Sequence, residues 1–460
     1  MEKLLIQHTN DIHSHLENWP KIRRKLSHTK NRTDCEVFTV DLGDFCDRIH
    51  PWTEVTEGKN GIELMNEVGF DVVTIGNNEG IGNSKVALDS LYETADFEVV
   101  LGNLIDPATE EIPTWAKKEV ILTTKEGTRV GFLGYTAPYP LTYEPTGWEI
   151  LYPKAIMGPA IASLRKRVDV LVLLSHLGIL SDRSMANHYP ELDVIIGSHT
   201  HHLLRDGEVV NGVLIAAAGK YGEYTGEIEV LLEKGSILSK DAKTIKTENL
   251  PQLPDDQFEI QHYFDLGERL LEQIKVAQLP HEMNRNSSGE TCITTNCLRA
   301  MCQKANVQAG MLNMGLFLKD LESPIVTALD LHQLLPHPMH LIKVELKGND
   351  LLRLVLEMEK NRQFLRAFPI KGMGFRGKIF GEIIYAGIHF NKLTREVYFN
   401  GKLVDEGETY KIVTLDHYFF IPFFPTIELA GKTEFLFPDF LRTVFQEYLT
   451  ATFPIQELEV

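Results

Sequence analysis

The sequence predicts an α/β fold in which polar side chains gather beyond the carboxyl ends of strands. Three observations predict it. Short continuous apolar runs, each too short for a helix, alternate with helix-like stretches through the first half of the chain. Five of those runs end at once in Asp, Asn or His, the place where ligand sites form in α/β sheets. The length, 460 residues with 43% apolar and 24% charged, allows two or three domains and a large core.

The first run, 3–8, leads into Thr9-Asn10-Asp11-Ile12-His13-Ser14-His15. In extended backbone residues i and i+2 point the same way, so Asp11 and His13 are expected to project together. A carboxylate beside an imidazole suits a divalent cation. The second run, 37–41, ends in Leu42-Gly43-Asp44, where Gly43 permits a tight turn. A helix is expected over 61–68. A strand over 72–75 then ends in Gly76-Asn77-Asn78-Glu79-Gly80, and Asn offers a neutral oxygen ligand. Strands follow at 99–102 and 129–134, the second after a hairpin-like 125–128, and a helix at 154–166. The run 170–174 ends in Ser175-His176-Leu177-Gly178, and 194–196 ends in Gly197-Ser198-His199-Thr200-His201-His202. Segments 214–218 and 226–232 close the series. One polar residue after one strand is ordinary loop chemistry. Five such strand ends argue for a common site, with more ligands than one ion needs. Asp44 is the carboxylate suited to bridging two ions about 3.5–4 Å apart.

Composition narrows the function. A net charge of −18, from 64 acids against 46 bases, opposes binding to a nucleic-acid backbone. No stretch has the length of a membrane span, and Met1-Glu2-Lys3 leads straight into the first strand without a signal-like apolar region, so a cytoplasmic protein is expected. The cysteines at 35, 46, 292, 297 and 302 form no CxxC pair and read as reduced thiols. Nothing implies a protein partner.

A proline-marked break at 249–254 precedes Asp256 and Glu259, which have capping-box spacing, and a helix to about 277 with Tyr263, Leu266, Leu270 and Ile274 on one face. Beyond it come a helix at 292–304, a strand at 341–347, a helix at 351–358 and an amphipathic helix at 439–449. The expected plan is a first domain over 1–235, a linker and connecting helix over 236–280, and a second domain over 281–460.

The blocks His8-Thr9-Asn10-Asp11-Ile12-His13, Gly43-Asp44, Gly76-Asn77-x-Glu79, Ser175-His176 and Gly197-Ser198-His199-Thr200-His201 resemble, in order, those of the bacterial 5′-nucleotidase, UDP-sugar hydrolase and 2′,3′-cyclic phosphodiesterase family. The resemblance implies a four-layer αββα metallophosphoesterase sandwich followed by a second α/β substrate-binding domain. It implies two divalent metals, one held by Asp11, His13, Asp44 and His201, the other by Asp44, Asn77, His176 and His199. Mn²⁺ or Zn²⁺ suits the mixed nitrogen and oxygen donors. The implied reaction is hydrolysis of phosphate esters or anhydrides of nucleotides or related small molecules by a metal-activated water.

The chain departs from the family pattern at several positions. Family members read Gly-Asn-His-Glu-Phe-Asp where this chain has Gly76-Asn77-Asn78-Glu79-Gly80-Ile81, so Asn78 stands in the place of a catalytic imidazole and can donate a hydrogen bond but not a proton. Two expectations follow: a preference for good leaving groups, or replacement of the missing imidazole by His15 or His202. In the second domain, Asn313 falls in the family's Asn-x-Gly-Gly-Ile-Arg stretch, with Phe317 near the place of its Arg. Pro336-His337 and Asp416-His417 replace two Phe-bearing pairs that stack on the base, and the family's glycine loop is absent. His337 and His417 are then the candidates to sandwich a ring, and Arg376 the candidate cation for a phosphate. The alternatives are a phosphodiesterase or nuclease on the same metal centre, or a non-catalytic nucleotide sensor.

Overall fold

The structure, a computed structural model, describes residues 1–285, 289–372 and 374–456; Met373, in the glycine-rich stretch before Arg376, lies outside them. The chain divides into two compact units, Met1–Gly267 and Glu268–Val460.

In the first unit the main strands are, in chain order, β1 (Glu2–Thr9), β2 (Glu36–Asp41), β3 (Val72–Val73), β4 (Glu98–Val99), β5 (Val120–Thr123) and β6 (Arg129–Thr136). They continue as β7 (Val170–His176), β8 (Val194–Gly197), β9 (Leu203–Val210), β10 (Val213–Ala218), β11 (Tyr224–Glu233) and β12 (Ser236–Lys246). They form two six-stranded sheets, ordered β12-β11-β1-β2-β3-β4 and β9-β10-β8-β7-β6-β5. Strands β1 to β4 are mutually parallel, as are β10, β8, β7 and β6.

The sheets face each other. Leu4, Ile6, Phe38 and Val40 of one pack with Val130, Phe132, Val170, Val172 and Leu174 of the other. The alternate residues of β7, Leu171 and Leu173, turn outward onto Met157, Ile161, Leu164 and Ile179 of the flanking helices Pro153–Arg165 and Ile179–His188. A strand apolar on both faces has no polar alternation, which explains the continuous run at 170–174. On the other side Trp19, Ile22 and Leu26 of Trp19–Lys30 and Ile62, Leu64 and Met65 of Lys59–Val68 cover the outer face of the first sheet. The layers are therefore helix, sheet, sheet, helix, the predicted four-layer sandwich.

The expected boundary at 235 moves. Residues 236–246, read as linker, are β12, antiparallel to β11 from Glu233↔Ser236 to Tyr224↔Lys246. Strands β9 and β12 lie at sheet edges with half-buried or exposed side chains and none buried, so neither carries an apolar run to betray it. The connecting helix, Asp256–Gln273, is shorter than expected and starts at Asp256 itself. Asp256 accepts from Leu253 N at 3.0 Å and pairs with Arg24, while Tyr263 stacks on Trp52 at 5.2 Å.

The second unit contains β13 (Lys275–Gln278), β14 (Gly310–Asn313), β15 (Ile325–Thr327), β16 (His340–Lys347), β17 (Ile383–Ala386), β18 (Thr409–Leu415) and β19 (Lys432–Phe440). Its five-stranded sheet runs β17-β14-β18-β16-β19. The helices Ile293–Ala305, Gly348–Leu365 and Leu441–Thr452 complete an α/β body. Among the described residues no helix is long and apolar enough to cross a membrane. All five cysteines are free thiols, three of them buried.

Candidate metal centre

The loops that leave β1 and β2 zip together as continuations of parallel neighbours. Leu42 N donates to Thr9 O at 3.1 Å, Asp11 N to Gly43 O at 3.2 Å, His13 N to Asp44 O at 2.8 Å and Ser14 N to Phe45 O at 2.8 Å. This pairing holds Asp11 (φ 50°), His13 (φ 50°) and Asp44 (φ 52°) in left-handed backbone; His199 (φ 71°) and His201 (φ 57°), in the loop after β8, share that conformation. The expected extended geometry of Asp11 and His13 is thus corrected: they converge through a left-handed turn. Such conformations cost about 1–3 kcal/mol each and persist where the surroundings enforce them. Glycine is required twice. A Cβ on Gly43 (φ 84°) would meet Gly76 N at 2.0 Å, and a Cβ on Gly76 would meet Asp44 Oδ1 at 2.0 Å. Glu79 locks the arrangement by accepting from Asp44 N at 2.8 Å, Cys46 N at 2.9 Å and Gly76 N at 2.9 Å.

Two ligand nests result, Asp11/His13/His201 and Asp44/His176/His199, each with donor atoms within 4.8 Å of one another. Asp11 is anchored through Oδ2, which accepts from Asn10 Nδ2 at 2.9 Å and Ser198 Oγ at 2.7 Å. Its Oδ1 faces His201 Nε2 at 3.6 Å and His13 Nε2 at 3.9 Å, and those two nitrogens are 3.2 Å apart. Asp44 Oδ1 accepts from Asn78 N at 2.7 Å, while Oδ2 lies 3.6 Å from His13 Nε2 and 3.4 Å from His176 Nε2. One carboxylate oxygen therefore belongs to both nests. Four donors at about 2.0–2.2 Å from a tetrahedral ion stand about 3.3–3.6 Å apart, close to these spacings.

His176 Nδ1 is 2.7 Å from Leu42 O, which can only accept, so Nδ1 carries a proton and Nε2 is the nitrogen left for a proton or a metal. That Nε2 and Asn77 Oδ1 are buried without a hydrogen-bond partner. An orphaned buried nitrogen facing a carboxylate, as His176 Nε2 faces Asp44 Oδ2 at 3.4 Å, fits a cation.

The electrostatics agree. Burial alone would lower His176, but the Asp44 carboxylate reverses this and pushes it up to about 10. Burial would likewise raise Asp44, yet His176 and His13 hold it well below the usual carboxylate range. His13 is raised, its burial outweighed by Asp47, Asp44 and Asp11. The nest calls for positive charge, from protons or from metal. His199, pushed down to about 4 by burial and then by His176, is neutral and ready to ligate.

The calcineurin-like phosphoesterase family model matches residues 4–203, and the 5′-nucleotidase C-terminal domain model matches 273–420. A metallophosphoesterase of Bacillus subtilis (strain 168), YunD, is 35% identical over 461 residues, covering 96% of this chain and 98% of that relative. The chain belongs to the calcineurin-like metallophosphoesterase family. Among solved structures, the 5′-nucleotidase precursor of Thermus thermophilus aligns over 99% of this chain and 98% of that one, with a TM-score of 0.57 and 20% identity. The NAD nucleotidase of Haemophilus influenzae aligns over 98% and 96%, with a TM-score of 0.63 and 17% identity. Both share the fold.

Further polar residues lie around the metallophosphoesterase nests. Tyr139 OH is 2.7 Å from His199 Nε2. Asp47 Oδ2 is 3.5 Å and Asn78 Nδ2 is 3.0 Å from His13 Nδ1, so Asn78 touches the ligand set directly. The two histidines expected as substitutes for a missing imidazole are engaged elsewhere. His15 Nδ1 pairs with Glu17 at 2.7 Å and its ring lies 3.8 Å from that of Tyr221, while His202 Nδ1 is 3.0 Å from Thr200 Oγ1. Ser198 belongs to a motif block that gave it no role. Tyr139 and Asp47 lie outside every block.

In the second unit the metallophosphoesterase brings Asn313, His337, Arg376 and His417 into one cluster. Asn313 Nδ2 donates to Phe380 O at 2.6 Å, and its Oδ1 is 3.2 Å from His417 Nε2. Arg376 N donates to His337 Nδ1 at 2.9 Å, and His337 Nε2 donates to Leu316 O at 2.6 Å. Phe317, near the place of a family Arg, is core. His337 and His417 are each 1% exposed, and burial pushes them down to about 3 and about 4, so both are neutral.

Proposed function

We propose that this metallophosphoesterase hydrolyses phosphate esters or anhydrides of nucleotides and related small molecules on a pair of divalent ions, Mn²⁺ or Zn²⁺. The observation that carries the reading is Asp44 Oδ2, held within 3.6 Å of His13 Nε2 and 3.4 Å of His176 Nε2 while Oδ1 is tied to Asn78 N. Asp11, His13, Asp44 and His201 would hold one ion, and Asp44, Asn77, His176 and His199 the other. When bound, the ions supply Lewis acidity toward the phosphoryl oxygens and the attacking water. The chain's own residues fix protons around them. Leu42 O keeps the His176 proton on Nδ1. Asp47 is the acceptor for a proton on His13 Nδ1, which ligation through Nε2 requires.

Asn78 gives the reading its particular form. Its backbone N–H holds Asp44 Oδ1, and its side-chain amide, beside His13, cannot protonate a leaving oxygen, which favours substrates whose leaving group departs as a stable anion, phosphoanhydrides first. The test is a screen of metal-loaded protein against phosphomonoesters, anhydrides and cyclic diesters, with Asp44→Asn as control. The expected result is metal-dependent turnover in the wild type and loss of about 10³-fold or more in the variant. Turnover that persists undiminished in Asp44→Asn overturns the assignment.

A further inference from the structure

The loops around the nests are poor in fixed cations. Histidines aside, segments 10–15, 42–50, 76–81, 198–202 and 219–222 hold two basic residues, Arg48 and Lys220. Arg48 is engaged: its Nε donates to Glu54 Oε2 at 2.7 Å and its Nη1 to Asn83 Oδ1 at 3.0 Å. Lys220 has no carboxylate partner among the described residues. Its ammonium stands 4.4 Å above the centre of the Tyr221 ring.

The turn that carries Lys220 is pinned to the Asp11/His13/His201 nest. Tyr221 N donates to Asp11 O at 2.7 Å, Gly219 N to His202 O at 3.0 Å, and Asn10 Nδ2 to Gly219 O at 2.8 Å. These bonds hold Tyr221 in left-handed backbone (φ 58°), which a side chain keeps only where its surroundings enforce it. Asn18 Nδ2 donates to Tyr221 O at 3.1 Å, and a Cβ on Gly222 would stand 2.7 Å from Ile22 Cδ1, so the turn also sits hard against the helix Trp19–Lys30. The Tyr221 ring is thereby set beside the nest, 5.8 Å from the ring of His13, 6.3 Å from that of His201 and 3.8 Å from that of His15. Lys220 and Tyr221 are both half-buried. The charge of Lys220 reaches the nest: His201 is lowered first by burial, and Lys220 is among the cations that add to the effect.

An ammonium resting on an aromatic face keeps its N–H donors for an anion. We propose that Lys220, seated on Tyr221, binds the phosphate adjacent to the one attacked, so that the protein selects compounds carrying two linked phosphates over monophosphates. The inference rests on the hydrolase reading above and deepens it. In hydrolysis of the linkage the water oxygen bonds to one phosphorus, and the bridging P–O bond breaks with its electron pair on the departing phosphate. One proton of the water passes to bulk solvent. Asn78 cannot protonate the departing phosphate, and an ammonium stabilises it as an anion through charge-assisted hydrogen bonds instead.

The experiment uses the full chain loaded with Mn²⁺ and freed of unbound ion, as wild type, Lys220→Met and Lys220→Arg, with equal Mn²⁺ content verified before and after each titration. Calorimetry measures binding of methylphosphonate and of methylenediphosphonate, whose P–C bonds resist hydrolysis. Kinetics measure kcat/KM for AMP and ADP, which differ by one phosphate. The wild type is expected to bind the diphosphonate about tenfold or more tighter than the monophosphonate, and to prefer ADP by a similar factor. Lys220→Met is expected to lower both ratios about tenfold. Lys220→Arg keeps the charge and is expected to keep most of both ratios. Wild-type ratios near unity overturn the inference. So does a Lys220→Met that retains the wild-type ratios, or a Lys220→Arg that loses as much as Lys220→Met. Failure of the hydrolase reading shows separately, as absence of turnover on both nucleotides, and leaves the phosphonate titrations to decide the role of Lys220.

Discussion

Asn78 and Tyr139 decide the chemistry at the residue scale. Asn78 bonds Asp44 through its backbone and touches His13 through its side chain, so it supports ligand geometry where an imidazole could also move a proton. For aryl phosphates of graded leaving-group pKa, wild-type kcat should fall steeply as that pKa rises. Asn78→His should flatten the dependence, with a gain of up to about 10²-fold on the poorest leaving groups. A wild-type rate independent of leaving group would refute this. Tyr139 has its phenol raised by burial and by the charge of Asp44, so it stays protonated and hydrogen-bonded to His199. Removing that hydroxyl in Tyr139→Phe should weaken Mn²⁺ binding about 10-fold or more by calorimetry, as loss of an outer contact to a ligand does. The candidate ligands were legible because each sits at a strand end in a motif block. Tyr139 was not, because its role is a contact across sixty positions of chain.

At the scale of elements, the site depends on close approach of the loops that follow β2 and β3. Gly76→Ala would drive a methyl into the Asp44 carboxylate, so its Mn²⁺ affinity should collapse while far-ultraviolet circular dichroism is kept. Retained affinity would show that the loops can part without cost to the site. The helix Ile179–His188 carries a second consequence. Asp182 is 1% exposed beneath β7 and accepts from Ser175, and burial pushes its carboxyl up to about 7 from 3.8. Below pH 3.8 the group is neutral folded and unfolded, and its contribution to stability is complete. As pH rises through 7 the folded chain must hold a buried carboxylate, and that contribution is lost. The interval from 3.8 to about 7 corresponds to roughly 4 kcal/mol as a ceiling. Asp182→Asn should therefore be progressively more stable than wild type in urea melts as pH is raised from about 4 to about 8. A difference independent of pH would show that Asp182 is not held neutral. Central strands were legible from their apolar runs. The edge strands β9 and β12 were not, because half-solvated strands take the same polar residues as loops.

Over the whole molecule, charge and unit structure make two further expectations. With 64 acidic against 46 basic residues, the chain should neither bind nor cut duplex DNA at physiological salt. Retention on DNA under those conditions would favour a nuclease instead. All seven candidate ligands lie within Met1–Gly267. Saturating Mn²⁺ should therefore slow amide exchange in the loops at 10–15, 42–47, 76–79 and 198–201, and EDTA should reverse it, while the five-stranded sheet of the second unit stays unchanged. Equal protection across both units would contradict a metal centre confined to the first.

The sequence alone determined the α/β class and the candidate ligands, because apolar strands with polar ends are written locally, residue beside residue; the sandwich was implied by the order of the motif blocks. The tertiary structure decided how those ligands meet. Asp11 and His13 converge through left-handed backbone enforced by hydrogen bonds to the neighbouring loop, not through strand alternation. It also decided that His337 and His417 lie buried against Phe375. Backbone conformation under pairing and the burial of an imidazole against a distant ring are outcomes of packing between segments far apart in the chain, and no local pattern carries them.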